Sequence, residues 1–260
     1  KADDACPGCD ELPNPRFRRL TVSDPTVVNG TLAGRRFERH NHPGVYLDYN
    51  PHLDESGDSS DNAHAATLVS GGPSTATESG FTVAVFDNDA VSFDLGKPAE
   101  WTVMAAVKLS AIVSLQHICG SRDSSQTNST AWGVLYNRDT PTSVDGGLRV
   151  IWGDGTNQSR IDTDDPVFTG NWDVVAVRFT TGTADVEVNA NGNAMSKTLT
   201  QADADTTEGT AYDFNVGRGG ENSSQALDGR IGRLWVWNER LNDDDFIYYR
   251  RRLRVWADSL

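Results

Sequence analysis

Apolar and polar residues alternate in short runs along most of the chain, and the runs end in turn-forming clusters. A period of two places every second side chain on one face of an extended strand. The pattern predicts strands at 81–86, 90–95, 101–109, 112–119, 132–136, 148–152, 172–179, 184–189, 214–217 and 230–237. The run Trp101–Leu109 is apolar on both faces and belongs in the middle of a sheet. In 230–237, Trp235 and Trp237 share one face and Leu234 and Val236 the other, so this strand is expected to be central or covered and its tryptophans structural. Asn191-Gly192 is a tight-hairpin signal, because both residues tolerate positive φ.

After Leu241 the period changes. Phe246, Tyr249, Leu253 and Trp256 recur at three- and four-residue spacing, which predicts a helix over 242–257 with one buried face. Asn242 is placed to cap it. Asp243, Asp244 and Asp245 lie at the positive end of its dipole, and Arg250, Arg251, Arg252 and Arg254 lie toward the negative end.

Residues 1–80 read differently. They hold seven of the ten prolines, four of the five histidines and the loop cluster 54–61. Only Thr21-Val22, Thr26-Val27-Val28 and Val45-Tyr46-Leu47 alternate there. The expectation is an extended, loop-rich N-terminal arm over 1–80, and one domain over 81–260 that includes the helix. Many short strands at even spacing predict an all-β, antiparallel two-sheet jelly-roll sandwich for that domain.

The net charge of −14 narrows the partners. An acidic surface repels nucleic acid and anionic lipid. No run approaches the ~20 apolar residues of a membrane span, so no membrane insertion is expected. Cys6 and Cys9 form a lone C-x-x-C, open to a local disulfide, two free thiols or, with His40 and His42, zinc. Cys119 follows Ile118 in an apolar run and reads as a core residue.

Six segments, in order, resemble a known family. They are Phe86–Phe93; Trp101–Leu109; Gly170-Asn171-Trp172-Asp173-Val174-Val175-Ala176-Val177, with Asp173 where the family often has histidine; Val186–Gly192; Leu227-Asp228-Gly229-Arg230-Ile231-Gly232; and Leu241-Asn242-Asp243-Asp244-Asp245. Over about 81–250 the chain resembles laminin-G-like, concanavalin A-like lectin-glucanase jelly rolls. The resemblance implies binding of sugars or proteins, without catalysis, in secreted modules, adhesins or phage virions.

The residues themselves offer little for catalysis. The family's glucanases carry an E-x-D-x-E strand, and the nearest approach here is the pair Asp185 and Glu187, which share a strand face. Its lyases need a His and a Tyr, and Gln116-His117 has the wrong order. Calcium is a candidate cofactor at Asp87-Asn88-Asp89, with Asp162–Asp165 and Asp203–Asp205 as rivals. The candidate ligand platform is aromatic: Trp132 and Tyr136 share one strand face, and Trp152 lies on the next strand. Arg149, Asp154 and Asn157 stand nearby to read hydroxyls.

The expected function is a non-catalytic recognition module outside the cell, secreted or on a virion or cell surface, binding glycans or a surface partner. One alternative is a structural virion or surface-assembly protein, a homo-oligomer or larger assembly built through the arm and the C-terminal helix. A second is a polysaccharide lyase or hydrolase.

Overall fold

The computed structural model describes residues 45–52, 57–60, 62–95, 100–111, 115–121, 132–137, 145–153, 157–180, 185–202, 213–219 and 225–260, with backbone alone at 134–137 and 200–202. These residues lie in a compact unit that runs from Phe37 to Leu260; a second unit, Lys1–Arg36, falls outside them, as do Cys6 and Cys9.

Along the chain the strands are β1 (Leu47–Tyr49), β2 (Ala66–Val69), β3 (Ser74–Glu78), β4 (Phe81–Asp87), β5 (Ala90–Phe93), β6 (Glu100–Leu109), β7 (Gln116–Ser121) and β8 (Trp132–Asn137). Then come β9 (Gly147–Gly153), β10 (Gln158–Thr163), β11 (Asp173–Thr180), β12 (Val186–Ala190), β13 (Asn193–Ala194), β14 (Lys197–Ala202), β15 (Phe214–Val216) and β16 (Asp228–Trp237), followed by helix α1 (Asp243–Ala257). They form two antiparallel sheets. The first runs β13-β12-β11-β6-β16-β4-β3, with β1 also on β16; the second runs β14-β10-β9-β8-β7-β15-β5-β2. The mostly-β sandwich with a C-terminal helix is the fold expected from the sequence.

Between the sheets lies the main core, where Ile231, Leu234 and Val236 of β16 meet Val150, Trp152, Val91 and Phe214 of the second sheet. The far face of the first sheet carries a second apolar layer. There Trp235, Trp237, Met104, Val174 and Trp172 pack under Phe246, Tyr249, Leu253 and Trp256 of α1. The double-sided apolarity of β6 and β16 is thus explained by one layer on each side. Asn242 caps α1 by accepting from the Asp245 amide at 3.0 Å.

A bulge at Gly232 lets Ile231 and Leu234, three residues apart, both face the core. The residue there must be glycine, since a Cβ would sit 2.3 Å from the Trp256 ring. At the tight turn joining β12 to β13, Asn191 and Gly192 take φ of 50° and 95°.

One expectation is corrected. An arm reaching residue 80 is not what the chain builds over its described part from 45 onward: β1 and β3 belong to the first sheet and β2 to the second. β1 takes up the part of the β16 edge that β4 leaves open, and the buried pair Asp48–Arg233 fastens it. A three-residue strand has too little alternation to be seen in sequence. β10 and β14 were also unanticipated; Gln158–Thr163 and Lys197–Ala202 are polar runs, and β14 is a sheet edge, where polar residues are favoured.

Candidate functional site

The structure separates the residues expected to form an aromatic platform. Trp132 and Trp152 are cross-strand partners, but both point into the core and are 3% and 2% exposed. Trp132 stacks on Trp101, and Trp152 packs against Phe179, both from the first sheet. The surface-platform expectation is therefore corrected for these two. Alternation shows that a strand has two faces without showing which face the other sheet covers. Tyr136 pairs with Leu148 through its backbone, and its side chain falls outside the described set, as does Asp154. Asn157 is exposed beside β10. Arg149 lies on the face opposite Trp152 and Val150, pointing away from the core.

Register then defines what shares that outward face. One row crosses the sheet through Thr67, Ser92, Asn215, Gly120, Gly133, Ile151 and Arg160, paired strand by strand from β2 to β10. A second row brings together His117, Leu135, Arg149, Asp162 and Thr198, from β7 to β14. Their sequence neighbours Cys119, Val150, Ile161, Phe93 and Phe214 form the core on the other side. One outward face is thus sealed by α1 with an apolar layer, while the other is built mainly from polar, charged and glycine positions, with Ile151 buried among them.

Arg149 is the fixed point of this face. Its Nε donates to Asp162 Oδ1 at 2.6 Å and its Nη2 to Asp162 Oδ2 at 3.2 Å. The two side chains are 7% and 2% exposed. Desolvating such a pair costs nearly what its attraction returns, so its gain is orientation more than stability. The fork to Asp162 uses one edge of the guanidinium and leaves Nη1 outside it. Arg160 adds a second guanidinium, 4.0 Å from Asp162 Oδ2. Asn215 donates to the Asp213 carbonyl at 3.0 Å, and Ser92 Oγ reaches Asp213 Oδ2 at 3.3 Å. His117 is fully buried.

Gly120 and Gly133 face each other at the middle of the first row. Gly120 has φ of 146°, and a Cβ there would lie 2.3 Å from the Trp132 carbonyl oxygen. The paired glycines are buried and let the backbones of β7 and β8 approach closely between Asn215 and Ile151. Apart from Arg149, with Asp162 weighed only for calcium and His117 only for catalysis, none of these residues was singled out from the sequence. The signal lay in positions alternating with core residues, and in β10 that alternation is masked by polar neighbours.

The other candidates have structural duties. Glu187 is ion-paired with Arg178, and Asp185 with Arg240. Burial works against the charge of Arg178, but hydrogen bonds to Asp243 and Glu187 prevail and hold its pKa above the ordinary value. The Gln116 side chain donates to the Ala111 carbonyl and accepts from the Asp228 amide, tying β7 to β16. Asp173 accepts from Thr169 and Asn191. Cys119 is buried in the core, and burial pushes its thiol up. At the candidate calcium turns, Asn88 adopts φ of 65°, Asp162 is held by Arg149 and Asp164 accepts from Thr198; 203–205 lie outside the described residues. Among the described residues, no three His, Cys, Asp or Glu side chains converge as metal ligands, and no helix is long and apolar enough to cross a membrane.

Among solved structures the fold is similar to domain 4 of AbnA, an extracellular arabinanase of Geobacillus stearothermophilus solved with arabinotriose. The TM-score is 0.61 at 16% identity over 78% of this chain and 97% of that one. It is also similar to the binding domain of Paraclostridial Mosquitocidal Protein 1, at TM-score 0.59 and 11% identity over 81% of this chain and 52% of that one. The binding domain of Botulinum neurotoxin DC in complex with rat synaptotagmin II gives 0.56 and 11%, over 81% and 52%. The chain thus spans about half of each toxin domain. At these identities the likeness is one of fold. No curated protein sequence matches the chain. The laminin-G-like 3 profile, described as the concanavalin A-like lectin/glucanases superfamily, matches residues 83–245. With the two-sheet sandwich, the helix packed on one sheet and more than half of the sequence matched, the chain belongs to the concanavalin A-like lectin/glucanases superfamily.

Proposed function

We propose that this protein is a non-catalytic module that recognises glycans outside the cell, using the outward face of the second sheet. The observation that carries the reading is the contrast between the two outward faces. One is apolar and covered by α1. The other carries Arg149, Asp162, His117, Asn215 and Ser92 around the facing glycines Gly120 and Gly133, a polar cluster that is itself buried. Saccharide hydroxyls both donate and accept, and a guanidinium oriented by a carboxylate, beside amide and hydroxyl groups, offers complementary partners. The two rows end at the exposed Thr67 and Thr198, so the face reaches solvent at its margins. The arabinotriose complex of AbnA domain 4 supports a saccharide as the ligand class. The engagement of Asp185 and Glu187 with arginines argues against a carboxylate dyad.

The test is a glycan array with the wild type, Asn215→Ala and Arg160→Ala, with thermal unfolding of each in parallel. The expected result is binding to a defined glycan set, weakened about tenfold or more by either change, as removal of ligand hydrogen bonds at ~1–3 kcal/mol implies. Unfolding temperatures should stay close to the wild-type value. Absence of glycan binding, or binding indifferent to both changes, would overturn the proposal.

A further inference from the structure

We propose that the outward stripe of α1 is a self-association surface that packs antiparallel against the same stripe of a second copy of this chain. It does not depend on the polar face of the second sheet, and α1 lies on the other sheet.

The buried side of α1 is occupied by Phe246, Tyr249, Leu253, Trp256 and Ala257. On the opposite side Asp244, Tyr248, Arg251 and Val255 are exposed at spacings of four, three and four residues, which places them in one line along the helix. Val255 is 67% exposed and Tyr248 40%, and both are among the large hydrophobics left open by the fold. Tyr248 and Val255 put two apolar side chains on one solvent-facing stripe of an otherwise charged helix.

Charge identifies the occupant. The stripe carries acid at Asp244 in its first turn and base at Arg251 two turns later. Arg252 Nη1 donates to the Tyr248 hydroxyl at 2.9 Å, and its guanidinium lies 5.5 Å from the Tyr248 ring centre. Burial, and then the neighbouring Arg251, depress the Arg250 guanidinium, with Glu187 acting in the opposite sense. A uniformly acidic partner would complement only the arginine half and would meet Asp244 with like charge. A parallel second copy would align acid with acid and base with base. An antiparallel copy places Asp244 of each chain opposite Arg251 of the other and brings the two Tyr248 side chains together near the axis. That arrangement is isologous, so it closes as a two-fold dimer and does not propagate. The helix is ~22 Å long, and its stripe alone is narrower than a standard interface, so the expected dimer is weak and reversible.

The experiment is sedimentation equilibrium across the micromolar range, on wild type, Arg251→Glu and the double variant Asp244→Arg/Arg251→Glu. Both positions are exposed, so the fold should tolerate these changes, and circular dichroism verifies that. The expected result is a wild-type monomer–dimer equilibrium that weakens with salt. The single charge reversal should weaken it about tenfold or more, as like-charge juxtaposition predicts, and the double swap should restore it. A strictly monomeric wild type, a dimer indifferent to Arg251→Glu, or failure of the double swap to restore association would each overturn the proposal.

Discussion

Trp132 of β8 and Trp101 of β6 stack with ring centroids 4.2 Å apart and planes 25° from parallel, so this aromatic pair joins the two sheets. Phe214 and Phe179 extend the stack on either side, at 5.2 and 5.0 Å. Trp132→Ala would leave a large void in this cluster and is expected to cost ~3–5 kcal/mol of stability. Denaturant unfolding measures that cost. Loss of glycan binding in this variant without loss of stability would contradict the assignment of Trp132 to the core.

Breaking the Arg149–Asp162 pair from one side leaves an uncompensated buried charge. Asp162→Ala alone is expected to destabilise by ~3–5 kcal/mol, and Arg149→Met by a comparable amount. The double change Arg149→Met/Asp162→Leu should recover most of that stability while glycan binding stays absent. Recovery of stability together with binding would mean that the pair is structural only.

Gly120→Ala combines a φ of 146° with a 2.3 Å approach to the Trp132 carbonyl oxygen. The neighbouring atom is backbone and cannot swing aside, so the loss should exceed the ~1–3 kcal/mol of conformational strain by itself. A thermal scan showing an unchanged midpoint would refute the close approach of β7 and β8 at this point.

Alkaline stability should depend on Tyr249. Burial first, and then the charge of Asp245, raise its phenol from 10.0 to about 12. The folded state therefore holds this proton more tightly than the unfolded chain does. The associated stabilisation is complete below pH 10 and is lost as pH rises from 10 to about 12. Tyr249→Phe carries no such proton, so its stability should decline less steeply over that interval. Equal slopes in the two proteins would show that Tyr249 does not contribute.

The parts of the fold most visible in the sequence were those where local chemistry and tertiary placement agree. β6 and β16 were apolar on both faces, and each is buried on both. Asn242, the three aspartates and the three- and four-residue apolar spacing fixed α1 almost to the residue. β1, β2 and β3 were hidden because such short strands gain their stability from neighbours, as β1 does from β16 and from Arg233. Of the candidate ligand residues, Arg149 lies on the polar face, while Trp132 and Trp152 lie in the core.

By itself the sequence determined the class of fold, the capped helix, the core character of Cys119 and the structural role of Trp235 and Trp237, because strand and helix periods and capping act over a few neighbouring residues. Only the tertiary structure decided which face of each second-sheet strand is inside. A period of two divides a strand into two faces but does not say which of them another sheet will cover. That choice placed the tryptophans between the sheets and turned Arg149, with Asp162 from thirteen residues further on, toward the outside.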